Sequence, residues 1–416
     1  MGRAMQLGDL RRRILYTVGM LGVFALGTHV PVPGINQAVL PSLFGSGTFF
    51  GLLNLFAGGA LKIFAVFAMS ITPYINASII MQLLTLVIPQ VEEWSKEGPE
   101  GQKKINQWTR YGTVLLGVVE STALAVYLRD NGAFLHPGIA ELLLIIVLLT
   151  AGTVFLMWVG EMMTEYGIGN GISLLIFAGI LSRLPSGIAT LVGYLRAGSI
   201  SVFNLLVFLV LALAITAAVV VVTQAARRVP VQYAKRVVGR RMYGGVSSYI
   251  PIRVNTAGVI PVIFAASVLT VPLTLTKFVK VGWLASVSNF LSGSAVWYAV
   301  IYAGLIIAFT FFYTSIVWNP VDVADNLRKQ GGFIPGYRPG RPTADYLGRV
   351  LERVTVLGAI FLALVAVLPE VFSGITHIPN VAFGGTALLI VVGVALDTMM
   401  QIEGHMLMRH YQGFIR

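Results

Sequence analysis

Long apolar runs separated by short polar and mostly basic intervals organise this chain. Windows near the ~20 residues that cross a bilayer as a helix fall at roughly 14–30, 71–88, 111–128, 140–159, 171–184, 202–222, 255–274, 296–318, 347–368 and 381–400. The pattern predicts an all-α membrane protein of ten spans. The first run follows Arg11-Arg12-Arg13 and imitates a secretory leader. No small-x-small cleavage site precedes the turn Val30-Pro31-Val32-Pro33-Gly34, so it reads as a retained first helix. One stretch breaks the rhythm. From Phe49 to Ile88 the sequence is apolar with a single charge, Lys62, and is interrupted only by Gly58-Gly59 and Pro73. That is too long for one span and lacks a polar turn between two. It reads as a broken helix, which survives at membrane depth only where protein or a water-filled cavity surrounds it.

Composition supports this picture. Hydrophobic residues make up 56% of the chain and charged residues 11%, with a mean hydropathy of +0.82, which excludes an ordinary soluble protein. There is no cysteine, hence no disulfide, thiol nucleophile or thiolate metal site. The five histidines, His29, His136, His377, His405 and His410, are scattered without metal-ligand spacing. No catalytic residue, metal site or cofactor is expected, because there is no acid–base pair and no H-E-x-x-H.

Charge fixes the orientation. With the N terminus in the cytoplasm, the outer side keeps Lys62, Arg129, Arg183, Arg196, Lys277 and Lys280, and the rest of the 29 Lys and Arg fall inside. The positive-inside rule requires such asymmetry. Two crossings within Phe49–Ile88 would send every later basic loop outward, whereas one net crossing keeps them in. Residues 49–64 are therefore expected to dip in from outside and return. Both termini are expected in the cytoplasm. Two five-span halves follow, 1–200 and 201–416, and an odd number of spans in each implies inverted topology.

Two cytoplasmic loops stand out. In 223–254, the alternating stretches V-P-V-Q-Y and S-Y-I-P-I-R-V flank R-V-V-G-R-R-M-Y-G-G, which predicts a β-hairpin with arginines at its tip. Its bland role is to set topology; its length and pattern favour an acidic partner, RNA or protein. In 319–343 the density of glycine and proline predicts a shaped loop, with Arg338 held between Tyr337 and Pro339. The G-I-G-N-G at 167–171 follows no strand, so it reads as a tight turn and not a phosphate loop. Glu120 lies near mid-span, and a charge at that depth is a functional suspect by default. Asp397 sits near the cytoplasmic end of its helix, where it can be hydrated.

The chain resembles the SecY/Sec61-alpha family in its bacterial form, essentially from end to end. The resemblance rests on N-L-F-A-G-G-A-L (54–61), P-Y-I-N-A-S-I-I-M-Q-L-L (73–84), S-K-E-G-P-E-G-Q-K-K-I-N-Q-W-T-R-Y (95–111) and T-E-Y-G-I-G-N-G-I-S-L-L-I-F-A-G-I (164–180). It continues through R-R-V-P-V-Q-Y-A-K-R (227–236), P-I-R-V-N-T-A-G-V-I-P-V-I-F-A (251–265), G-G-F-I-P-G-Y-R-P-G (331–340) and L-L-I-V-V-G-V-A-L-D-T (388–398).

The resemblance implies a preprotein translocase channel subunit in the bacterial cytoplasmic membrane. It would pass unfolded secretory polypeptides across and release membrane helices to lipid. Residues 53–64 would form a plug helix, including Asn54, Leu55, Phe56, Ala57, Gly58, Gly59, Ala60 and Leu61. Ile75, Ile79, Ile176, Ile263 and Ile390 would form the pore ring, a dewetted constriction of branched side chains. Gln82, Thr85, Glu120 and Asn255 would belong to a lateral gate between spans two and three and spans seven and eight. Arg227, Arg228, Lys235, Arg236, Arg240, Arg241, Arg338 and Tyr411 would meet partners. Those partners would be the small membrane subunits SecE and SecG, the SecA motor ATPase, the ribosome through RNA and protein at its tunnel exit, and signal peptides and nascent chains. The chain departs from the family at Lys62, at Thr72 and in its short tail after Tyr411. A secondary transporter with broken helices is the alternative, and it should place charged groups at the break, where this chain has Thr72, Asn76 and isoleucines. A scaffold that only anchors cytoplasmic partners is a third reading, and it has no use for the broken segment.

Overall fold

The computed structural model describes residues 8–44, 57–136, 138–198, 200–233, 236–238, 241–243, 247–278, 286, 295–376 and 385–412. At 42, 236–238, 241–243, 247, 270–278, 295, 369–376, 385 and 407–412 the description is of the backbone alone. Helix α1 spans Gly8–Gly27, a short α2 spans Leu40–Phe44, and α3 spans Thr72–Val87. Then come α4 (Pro89–Lys96), α5 (Pro99–Asp130), α6 (Ile139–Tyr166), α7 (Gly171–Ser182), α8 (Leu184–Arg196) and α9 (Val202–Gln224). Strands β1 (Ala226–Tyr233), β2 (Arg236–Val238), β3 (Arg241–Tyr243) and β4 (Ser247–Arg253) precede α10 (Ile260–Phe278) and α11 (Ala295–Val317). The chain continues through α12 (Pro320–Lys329), β5 (Gly332–Phe333), α13 (Arg341–Thr376) and α14 (Gly385–Gln412).

Seven helical segments among the described residues are long and apolar enough to cross a membrane, and the bent pair α3–α4 makes eight. Adding α1 and α10, both apolar along most of their length, gives the ten spans expected. Helix ends lie beyond the apolar windows. α1 takes in Arg11, Arg12 and Arg13, α5 starts at Pro99, and the fifth span runs on through α8 to Arg196. Hydropathy marks where lipid begins, whereas backbone hydrogen bonding carries a helix on into polar sequence.

Local chemistry sets the breaks. Ile88 precedes a proline and is extended, at φ −104° and ψ 113°, which stops α3 and turns α4 away by 101°. The Asn170 side chain accepts from the Ser173 N–H at 3.1 Å and caps α7, satisfying one of its orphan donors. Asn319 caps α12 in the same way, accepting from the Val321 N–H at 3.0 Å.

The described part of the expected plug helix, residues 57–64, is not helical. It is a series of tight turns, with Ala60 N–H bonding Ala57 O, Lys62 N–H bonding Gly59 O and Phe64 N–H bonding Leu61 O. Gly58 and Gly59 lie at φ +64° and +90°, and even Phe64 is at +47°. Left-handed backbone at three places in eight residues is incompatible with a right-handed helix. Asn54, Leu55 and Phe56 lie outside the described residues.

Three apolar clusters organise the membrane part. One, from Val32 to Leu149, lies wholly in the first half of the chain, and another, from Val219 to Leu389, wholly in the second. The third draws on both. Outside the apolar spans β1 and β4 pair antiparallel from Ala226↔Arg253 to Gln232↔Ser247, and β2 pairs with β3 nearer the tip. This is the expected hairpin. Strand β5, from the second loop, adds to the other edge of β1 through Gln232↔Phe333 and Tyr233↔Gly332. Val229, Val231, Ile252, Leu327, Ile334, Leu347 and Leu351 bury one another beneath it. The two loops therefore form one small head with its own core.

Candidate functional site

Four helices converge at the cluster shared by the two halves. Ile75 and Ile79 come from α3, Ile176 from α7, Ile263 from α10 and Ile390 from α14, and all five belong to this one cluster. Their exposures run from 0% at Ile390 to 6% at Ile75. On α3, Ile75 and Ile79 are one turn apart and so share a face. The carboxylate of Glu120 comes near it, bonded to Asn76 beside Ile75.

The turns 57–70 run beside this cluster, with Phe67 inside it and Val66 packed against it. The Ser182 hydroxyl donates to Gly58 O at 3.2 Å, and a Cβ at Gly58 would stand 3.2 Å from Gly179 Cα. Glycine on both surfaces allows the segment to sit directly on the end of α7. Leu61 and Phe64 bury their side chains in the first-half cluster with Leu124, Leu128, Ile145 and Leu149. Val32 N–H donates to Phe64 O and Val66 N–H to Val30 O, each at 2.9 Å. Lys62 is exposed, so the charge interrupting this apolar stretch points away from its packing. Phe67 and Ile71, further along, enter the shared cluster itself.

Helix α10 lies against α3 and α5, the helices that carry Gln82, Thr85 and Glu120, while Asn255 lies in the turn between β4 and α10. Their polar contacts differ from a simple clasp. Glu120 Oε1 accepts from Asn76 Nδ2 at 2.9 Å, so its partner lies on α3, beside it, and not across the α10 contact. Gln82 Nε2 donates to Ser78 Oγ at 3.3 Å and the Thr85 hydroxyl donates to Gln82 O at 2.6 Å, both within α3. Asn255 is buried in the turn that precedes α10, and its Oδ1, like Gln82 Oε1, has no hydrogen-bond partner. Sequence reading placed Asn76 only at the helix break. An amide in one span with a carboxylate at mid-depth in the next was the available signal for this pair.

On the head, Arg227 and Arg228 are exposed on β1, and the Arg228 guanidinium lies 4.8 Å from the centre of the Tyr249 ring. Arg338 is exposed between a stacked Tyr337–Tyr346 pair at 4.2 Å and the Thr343 hydroxyl, which donates to Arg338 O at 2.8 Å. Lys235 and Arg240 lie outside the described residues. Arg236 and Arg241 face each other's strands in the inner hairpin, and Tyr411 ends α14; the description there is of backbone only. The strap from this head to α10 is tightly seated. A side chain at Gly358 would collide with the Val254 carbonyl, and one at Gly393 with Val259.

This architecture, ten spans around a shared apolar cluster, is the fold of protein-conducting channels. It matches a solved structure described as "The structure of a protein conducting channel" with a TM-score of 0.67, over 94% of this chain and 91% of that one at 19% identity. A canine ribosome–channel complex from the endoplasmic reticulum gives a TM-score of 0.63 at 18% identity, with 94% and 91% covered. Sequence carries the assignment further. A family model described as SecY matches residues 65–399. The chain is 47% identical to the protein translocase subunit SecY of Halalkalibacterium halodurans, over 99% of this chain and 98% of the relative. It is 44% identical to that of Escherichia coli K12, over 99% and 95%. The chain belongs to the SecY family.

Proposed function

We propose that this chain is the central subunit of a protein-conducting channel that moves unfolded polypeptides across a membrane and delivers apolar helices into it. The observation that carries the reading is the convergence of five isoleucines from four helices and both halves into one buried cluster. Branched apolar side chains around a constriction exclude water and ions, yet can part around an extended chain. Residues 53–64 act as the plug against this ring. The halves 1–200 and 201–416 move about their shared cluster, and the gate between spans two and three and spans seven and eight opens toward lipid. The transporter reading needs charged or ion-coordinating groups at the break; one carboxylate, Glu120, reaches it, bonded to the Asn76 amide, and the likeness to translocase subunits favours the channel. The chain performs no catalytic step in this reading; the motor supplies the energy.

The partners follow. SecE and SecG complete the channel in the lipid bilayer, while SecA and the ribosome dock in turn on the basic head. The membrane is the bacterial cytoplasmic membrane, with both termini inside. Ribosome docking is supported by the likeness to a ribosome-bound channel and by the exposed arginines of β1. The hydrogen bonds of Gln82, Thr85 and Glu120 stay on α3 and α5 and Asn255 Oδ1 has no partner, so a gate lined by these four is not clasped by their polar contacts and yields to an arriving signal helix.

A stalled secretory polypeptide in membranes carrying photo-crosslinkers at Ile79 and Ile263 tests the function. Adducts at both positions are expected with the motor present and not without it. Absence of any adduct at either position under translocating conditions refutes the channel reading. The head is tested separately with Arg240→Glu and Arg241→Glu together. Ribosome affinity is expected to fall at least about tenfold, or ~1.4 kcal/mol, with a shallower salt dependence, while membrane insertion of the chain is unchanged. Unaltered affinity removes the hairpin tip from the docking surface.

A further inference from the structure

A cavity of about 300 Å³ opens between the head and the ring, lined by Asn170 and Ser173 of α7, Arg253 of β4, and Asp397, Thr398 and Gln401 of α14 among others. That volume is at the lower end for pockets that take a small ligand or a few residues of peptide. Asp397 lies two helical turns, about 10 Å, from Ile390, and Ser173 lies about one turn from Ile176. Arg253 of the head lines it as well, so in the channel reading the cavity lies between the head and the ring.

Its uncharged groups are mostly committed to structure. Asn170 Oδ1 caps α7, Gln401 Oε1 accepts from the Gly169 N–H at 2.9 Å, and the Thr398 hydroxyl donates to Val394 O at 2.7 Å. Arg253 and Asp397 are different. Both are exposed to the chamber, and neither takes part in the ion pairs of the described residues. One cation and one anion thus face the same space from different elements, close enough to act on each other's charge but not joined in an ion pair.

We propose that Arg253 and Asp397 form a two-signed charge filter that binds oppositely charged segments of the passing polypeptide before they reach the ring. The proposal rests on the channel reading above. A lysine-rich segment is held by Asp397 against the repulsion of Arg253, and a glutamate-rich segment by Arg253 against Asp397. In a narrow chamber with low-dielectric walls, fixed charges act strongly on the local concentration of mobile ones. Losing one member therefore leaves a mouth of a single sign.

The experiment uses proteoliposomes containing the complete channel complex and motor. Three substrates differ only by a run of lysine, glutamate or serine in the mature segment. Asp397→Asn is expected to slow the lysine-run substrate at least about threefold relative to the serine-run one, well within the range for charged clefts, without slowing the glutamate-run substrate. Arg253→Gln should give the opposite preference. The swap Arg253→Asp with Asp397→Arg should bring both ratios back toward the wild type. Equal slowing of all three substrates by each variant overturns the filter in favour of a purely structural role. Unchanged ratios overturn it by placing the cavity off the path. Failure of the wild-type complex to move the serine-run substrate is instead a failure of the channel reading, and of the filter with it.

Discussion

Deleting residues 57–62 raises the ion conductance of the closed channel, by at least about tenfold if the segment is one of the barriers that keep the constriction dewetted. The reasoning is local. Gly58 is bonded to Ser182 at the end of α7, and Leu61 is fully packed in the first-half cluster. Removing the turns strips both contacts and opens the face of the bundle that they cover. Planar bilayer recordings of purified complex, without substrate, make the measurement. Conductance equal to that of the intact chain excludes the segment as a plug. Gly58 is a milder probe. At φ +64°, with Ser182 Oγ 3.0 Å from where a Cβ would stand, it cannot become valine without displacing the segment.

The second large effect is expected at the ring. Ile263→Asn together with Ile390→Asn places two amides in a cluster of apolar side chains. The loss of branched apolar packing alone costs about 0.5–5 kcal/mol per side chain, depending on how far the site collapses. More important, the amides offer hydrogen bonds to water at the constriction, so the dewetted barrier fails. The double variant is expected to conduct ions even with residues 57–62 in place, and to pass substrates with weak signal segments more readily. Intact thermal stability of the detergent-extracted complex separates this from unfolding. A variant that stays ion-tight places the seal elsewhere. If it leaks only together with the deletion, ring and turns are two seals in series.

What the sequence announced and what it concealed divide along physical lines. The ten spans were legible because the bilayer demands about 20 apolar residues and reads them locally. The hairpin was legible because Val229 and Val231 alternate with polar neighbours, a period-two pattern. The turns at 57–64 were not, because A-G-G-A-L-K-I-F contains good helix formers as well as two glycines. Only tertiary docking on Gly179 and Ser182 decides in favour of left-handed backbone. Asn76 was missed as the partner of Glu120 because pairing across helices depends on rotation about each axis, which no window of one helix contains. The junction of β5 with β1 was hidden for a similar reason: two residues, Gly332 and Phe333, are too few to show a strand pattern, and their partners lie a hundred positions away. The five isoleucines were ordinary one by one. Their convergence came from the family resemblance, and the structure shows them together.

That two-residue strand has a mechanical consequence. Because it ties the second loop to the first, and because Val229, Ile252, Ile334 and Leu347 share a core, the head has few internal degrees of freedom. Its exit, Val254 to Val259, is wedged against Gly358 and Gly393 and leads straight into the helix that bears Ile263. A load applied anywhere on the head is therefore carried as a near-rigid lever arm to one pivot, and a partner gripping either loop turns the same hinge.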